Sequence, residues 1–121
     1  MSSIPEQINA AIGAHGAWKL RLKTAIASGT GDLDWRIVSK DCECAFGKWL
    51  HGHEIDAATR ASVPYQVVKR LHQEFHIAAG RVVQAVQNGH RQAAQDLMDG
   101  EFIPRSEKLV RALTKWKGEL A

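Results

Sequence analysis

Residues 64–88, PYQVVKRLHQEFHIAAGRVVQAVQN, carry the clearest helical pattern in the chain. An α-helix turns about 100° per residue, so side chains three or four residues apart lie on one face. Pro64 suits a first helical turn, and Ser62 lies close enough to cap it. The pattern predicts a long amphipathic helix whose inward face is apolar. Its inward residues are Val68, Leu71, Phe75, Ala79, Val82 and Val86.

The N-terminal segment from Ile4 to Ile26 shows the same period. Its apolar stripe is Ile4, Ile8, Ile12, Trp18, Leu22 and Ile26. His15 occupies the position that completes this stripe, so we expect its imidazole to face inward. Gly29 and Gly31 then end the helix.

The last segment, from about 91 to 118, keeps one apolar phase in spite of Gly100 and Pro104. Its inward residues are Ala94, Met98, Phe102, Leu109, Leu113 and Trp116. A proline inside a helix removes a hydrogen bond and costs about 3 kcal/mol. Because the phase is unbroken, we predict a kink at this point.

The region between the first two long helices contains shorter patterns. Asp32 or Asp34 is placed to cap a short helix around DWRIVSK (34–40), and CAFGKWLHG (44–52) reads as a short helical turn. No segment alternates in the manner of a strand. The sequence therefore predicts one all-α domain over residues 1–121. We expect a small helical bundle, of the four- or five-helix kind, with three long helices and one or two short ones.

Composition and charge exclude several classes of protein. Hydrophobic residues make up 45% of the 121 residues and charged residues 24%, as in ordinary globular proteins. The net charge of +3 is spread along the chain, which disfavours a nucleic-acid interface. No apolar run approaches a membrane span, and the first residues lack the pattern of a signal peptide. We expect a cytoplasmic location, where Cys42 and Cys44 stay reduced.

Four residues with ligand chemistry are candidates for a metal site. His72 and His76 lie four apart on the inward face of the long helix, and His15 faces inward from the first helix. Cys44 lies on the short apolar insert. Three imidazoles and one thiolate are a plausible tetrahedral zinc set, although the ligand types alone also admit copper or iron.

Other interpretations of these residues remain open at this point. A buried histidine is more often a hydrogen-bonded core residue than a ligand, and a plain interaction module would use the histidines only for packing. A di-iron bundle of the hemerythrin type needs inward carboxylates, which these stripes lack. An enzyme is not expected, because four protein ligands close the zinc shell and Glu74 lies at the wrong offset for a general base.

The same residues resemble a known family, the chemoreceptor zinc-binding (CZB) domain. CAFGKWLHG (44–52) is similar to its Cys-x-(Leu/Phe)-Gly-x-Trp-(Leu/Ile) core, and HGAWKLRLKTAI (15–26) to its His-x-x-Trp stretch. LHQEFH (71–76) resembles its His-x-x-x-His pair. GEFIPRSEKLVRAL (100–113) resembles its closing helix. The likeness covers about residues 5–117, with all motifs in order.

The resemblance implies a specific site and role. The zinc ligands it implies are His15, Cys44, His72 and His76, with Cys42 as a bystander. It also implies a symmetric homodimer and a bacterial regulatory role beside a chemoreceptor signalling domain or a diguanylate cyclase domain, in cis or in trans. Zinc or oxidation of the cysteine is expected to modulate the output. Because no output domain is attached, a stand-alone protein and a piece of a larger one both remain open.

Overall fold

The computed structural model describes residues 3–29, 33–40 and 44–120, and all regular secondary structure in them is helical. The all-α class is therefore confirmed. The elements are α1 (Ile4–Ser28), α2 (Trp35–Val38), α3 (Ala45–His51), α4 (Ala57–Arg60), α5 (Val63–Gln87), α6 (Arg91–Leu97), a π-helical turn (Met98–Phe102) and α7 (Ile103–Glu119).

Helix α1 begins and ends at residues that satisfy its exposed backbone groups. The hydroxyl of Ser3 accepts a hydrogen bond from the backbone N–H of Glu6 at 3.2 Å, and Pro5 lies in the first turn. Gly29 ends the helix with φ of 71°, a left-handed conformation that glycine adopts without strain. The predicted end at Gly29 is confirmed, whereas Gly31 lies outside the described residues.

Helix α5 is the centre of the bundle, since it packs against α1, α2, α6 and α7. All six of its predicted inward residues are buried. Ser62 holds the N-cap position, as predicted, but its side chain makes no capping bond. Its hydroxyl instead donates to the carbonyl of Thr59 at 2.6 Å, because α4 ends just before it.

The final helical segment passes Gly100 and Pro104 without a break. The irregularity takes the form of the π-helical turn, in which the N–H of Ile103 donates to the carbonyl of Met98. This wider turn directly precedes the first turn of α7, which contains Pro104. The ring nitrogen of a proline has no hydrogen to donate, so the regular helical hydrogen bond is missing at this residue. Met98 and Phe102 remain fully buried, so the apolar phase continues as predicted.

The short helices bring the connecting chain against α5. The carboxylate of Asp34 caps α2 by accepting from the N–H of Arg36 at 2.9 Å; Asp32 lies outside the described residues. Helix α3 is the predicted CAFGKWLHG turn, and α4 is one more short helix than expected. Asp56 caps α4 through the N–H of Thr59 at 3.0 Å.

The surface of the last helix carries basic residues that face solvent. Lys108, Arg111, Lys115 and Lys117 are all exposed, as expected for a solvated helix face. Within the described part of the chain, no helix combines the length and apolar character required to cross a membrane.

Candidate metal centre

The four predicted ligands meet at one place in the bundle. One ligand atom from each of them lies within 4.8 Å of the others, and the three imidazoles are buried while the thiol is half-buried. Helix α1 supplies one residue, the start of α3 supplies one, and α5 supplies two. These residues are His15, Cys44, His72 and His76. Three segments far apart in the sequence are thus joined at this point.

The Nε2 atom of His72 lies at the centre of the group. It is 3.0 Å from Nε2 of His15, 3.1 Å from Nε2 of His76 and 3.3 Å from Sγ of Cys44. All three imidazoles therefore present the same ring nitrogen to a common point. The i, i+4 spacing of His72 and His76 produces this convergence on α5, because both residues lie on one helix face.

Backbone carbonyls fix the tautomers of two of these rings. Nδ1 of His15 lies 2.8 Å from the carbonyl oxygen of Ala11, and Nδ1 of His76 lies 3.0 Å from that of Val38. A carbonyl oxygen only accepts, so each Nδ1 carries the hydrogen and donates. In the neutral ring, Nε2 then holds a lone pair that points into the group.

The surroundings of the group favour neutral imidazoles. Burial is the main cause that lowers the pKa of His15 from its ordinary 6.5 to about 4, and the charge of His76 adds to this, while the bond to Ala11 acts in the opposite direction. Burial also lowers the pKa of His72 to about 2, helped by the charges of His76, His15 and His51. Near pH 7 both rings are neutral, which is the form that ligates a metal.

The donor set fits a zinc ion. Nε2 of His15 and Nε2 of His76 each direct a lone pair at Nε2 of His72. A hydrogen on Nε2 of His72 can be donated to only one of these two lone pairs, so the other has no donor at this nitrogen. A cation contacted by all the lone pairs resolves this crowding. Tetrahedral zinc with bonds of about 2.0–2.3 Å spaces its ligands about 3.3–3.7 Å apart, so the observed contacts need only a small outward shift. Within the described residues, the group contains no carboxylate.

Cys44 is positioned by the helix that it precedes. It occupies the N-cap of α3, and its Sγ accepts a hydrogen bond from the N–H of Gly47 at 3.3 Å. The extended backbone at Cys44, with φ of −85° and ψ of 159°, directs the side chain back over the helix start. The sulfur therefore has a defined place beside His72.

Aromatic side chains surround the imidazoles. The ring of Phe75 lies 4.9 Å from that of His15, and the ring of Phe46 lies 5.2 Å from that of His72. Trp18 covers His76, with 6.2 Å between the centroids of the two rings. Such an apolar shell keeps water away from the ligands and strengthens metal binding.

Some positioning features carry little or no sequence signal. The carbonyls of Ala11 and Val38 belong to the backbone, so residue identity does not reveal them. Gly80 is another such feature: α2 approaches α5 so closely that a Cβ at this position would lie 3.0 Å from Cβ and 3.2 Å from Cα of Ser39. A glycine in the middle of a buried helix face was the only available hint.

Other candidates lie outside the group. His51 and His53 are exposed, and Glu74 lines an outer cleft with Arg81, away from the imidazoles. None of them belongs to the ligand group found among the described residues. Cys42 lies outside the described residues, so the structure gives no account of it.

The fold and the ligand group together define a small helical metal-binding domain. A family model, the chemoreceptor zinc-binding domain, matches residues 15–83, which is more than half of the 121 residues and includes all four candidate ligands. The chain belongs to this family, as its motifs had indicated. Neither the curated proteins nor the solved structures yield a match.

Proposed function

We propose that this chain is a regulatory domain that binds one zinc ion and passes the state of its zinc site to a signalling output. The observation that carries the proposal is the convergence of four ligand atoms within 4.8 Å from three separate segments. The family is a zinc-binding one by its description. The ligands in this proposal are His15, Cys44, His72 and His76.

The proposed mechanism depends on how the ligands are distributed over the bundle. Bound zinc would supply a cross-link between α1, the start of α3 and α5. A ligand shifts a conformational equilibrium only when it binds one arrangement better than another. The arrangement with all four donors together binds best, so zinc occupancy favours close packing of α3 against α1 and α5.

Oxidation of Cys44 is the proposed second input. The thiolate sulfur attacks one oxygen of a small peroxide; an S–O bond forms, the O–O bond breaks and hydroxide leaves. The sulfur is oxidised by two electrons to a sulfenic acid while the peroxide is reduced. The product is no longer a thiolate, so the site loses one of its four donors and α3 loses a tie to α5.

The signalling context completes the proposal. The name of the family associates such domains with chemoreceptors. We infer a cytoplasmic homodimer whose output is a chemoreceptor signalling domain or a diguanylate cyclase domain, in cis or in trans, so that chemotaxis or cyclic-di-GMP signalling responds. We infer no enzymatic activity of the domain itself, because four protein ligands fill a tetrahedral shell and leave no position for a substrate.

Zinc titration with a competing chromophoric chelator tests the binding step. Wild-type protein should bind one zinc per chain, Cys44→Ala should bind far more weakly, and the matched control His53→Ala, an exposed histidine outside the group, should equal wild type. Hydrogen peroxide should then release zinc from wild type. Equal affinity in Cys44→Ala would overturn the ligand assignment, and peroxide without effect on zinc would overturn the redox input.

A further inference from the structure

A cleft between α1 and α3 opens onto the ligand group from outside. Its volume is about 130 Å³, and its wall includes His15 and Cys44 themselves. We propose that this cleft is the route by which small solutes reach Cys44, and that two alanines of α1 set its width. The proposal rests on the proposed function, because it concerns access to the same site. The other residues of the wall that matter here are Ala10, Ala14, Trp18 and Phe46.

The direction of access follows from burial. His72 is 0% exposed and His76 is 2% exposed, since both belong to the inward face of α5. The ring of Phe75 closes that side, at 5.2 Å from the ring of His76. Cys44 is the one member of the group that is half-buried rather than buried. A reagent therefore approaches the sulfur from the side of α1 and α3.

The dimensions of the cleft suit small solutes. Its volume of about 130 Å³ is large enough for ordered water, since a cavity needs about 10–15 Å³ of such space to hold one molecule. A peroxide or a metal ion is of similar size and fits this space. The cleft thus offers small two-electron oxidants a path to Cys44.

Ala10 and Ala14 are the residues that keep the cleft open. They lie four apart on α1, hence on one face, and both side chains are exposed at the wall of the cleft. Each contributes only a methyl group. A leucine at either position keeps helix propensity and extends a larger side chain into the opening.

Alkylation of the metal-free protein by iodoacetamide tests the route. The Cys42→Ala background leaves Cys44 as the only thiol, because the chain has two cysteines. The thiolate sulfur displaces iodide, so that an S–C bond forms as the C–I bond breaks. Ala14→Leu should slow this reaction about tenfold relative to the background, since the remaining reaction then requires local opening. Ala10→Leu serves as the second variant if Ala14→Leu does not fold.

The matched control is Ala17→Leu, which places the same side chain on an exposed position of α1 away from the cleft. It should react at the background rate. Equal rates in Ala14→Leu and Ala17→Leu would overturn the proposal. It would also be overturned if the alkylation rate of the Cys42→Ala background rose steeply in dilute urea, because this indicates that the reagent enters by local unfolding.

Zinc content of the same variants separates the two proposals. If the variants bind one zinc per chain and Ala14→Leu is alkylated as fast as the background, only the proposed access route is refuted. A slowed alkylation in protein that binds no zinc would refute the proposed function and leave the cleft as the access route.

Discussion

Nδ1 of His76 on α5 lies 3.0 Å from the carbonyl oxygen of Val38, the last residue of α2. This contact joins the ligand group to a short helix that contributes no ligand. It also fixes the ring so that Nε2 faces inward, as the contact between His15 and the carbonyl of Ala11 does on α1. The backbone thus prepares two of the three imidazoles before any metal arrives.

The first prediction concerns the tautomers of these rings. In the metal-free protein at pH 7.5, the neutral tautomer of His15 and of His76 should be the one with the hydrogen on Nδ1, because carbonyl oxygens accept there. Nitrogen chemical shifts from long-range ¹H–¹⁵N spectra report the tautomer directly. The exposed His53, which lies outside the ligand group, provides a control. Hydrogen on Nε2 of either buried ring would contradict the account.

The second prediction concerns the contact of α2 with α5. Gly80→Ala should lower the free energy of unfolding by about 1–3 kcal/mol, because the new Cβ meets Ser39 and pushes α2 outward. Zinc affinity should fall as well, since Val38 moves away from His76. Urea unfolding and zinc competition measure the two effects.

Gly13→Ala is the control for this prediction, because a Cβ at position 13 has no heavy atom within 4 Å. If the Gly80→Ala protein is as stable as the Gly13→Ala protein, the tight contact between α2 and α5 is refuted.

The third prediction is the pH dependence of the metal-free protein. The folded-state pKa values of His15 and His72 lie below the ordinary 6.5, so the unfolded chain binds more protons in acid. Their contribution to stability is present above pH 6.5 and is lost as the pH falls. At pH 5 each ring should lower the free energy of unfolding by about 2 kcal/mol relative to its value at pH 7.5.

Urea unfolding with chelator present, at pH 7.5 and pH 5, measures this loss. His72→Gln removes one of these two titrating rings and should show a smaller decrease in stability between these pH values. If the wild type is equally stable at both values, the buried rings are not neutral in the way that the structure indicates.

The fourth prediction concerns zinc and global stability. Free zinc at about 100 times its dissociation constant should stabilise the folded chain by about 2.7 kcal/mol, because the assembled site exists only in the folded state. Thermal unfolding of wild type with zinc and with EDTA measures the difference. In His76→Ala the two melting temperatures should nearly coincide, and a full zinc effect in that variant would exclude His76 as a ligand.

The long helices and the inward histidines were accessible from the sequence because helical period carries them. Leu71, His72, Phe75 and His76 follow the 3.6-residue repeat of α5, and the structure buries all four. Cys44 was a candidate because of its thiol chemistry, since its place on a short insert has no periodic signal, and the family likeness favoured it over Cys42. Its geometry depends on the N-cap of α3 and on the N–H of Gly47.

The remaining features depend on tertiary contacts that no local pattern encodes. Val38 is an ordinary apolar residue in the sequence, yet its carbonyl orients His76. The π-helical turn before Pro104 is similar: the sequence indicated an irregularity, but the form that it takes depends on keeping Met98 and Phe102 in the core. Ser62 failed as a side-chain cap because α4, which was not expected, offered the carbonyl of Thr59.

The central claim is that these four side chains hold one zinc ion, and elemental analysis of untagged protein purified without chelator tests it most directly. Wild type and His53→Ala should contain about one zinc per chain, whereas Cys44→Ala and His72→Ala should lose it while they retain helical circular dichroism. Wild-type protein that is folded and contains no metal would contradict the account, because the four residues would then only pack.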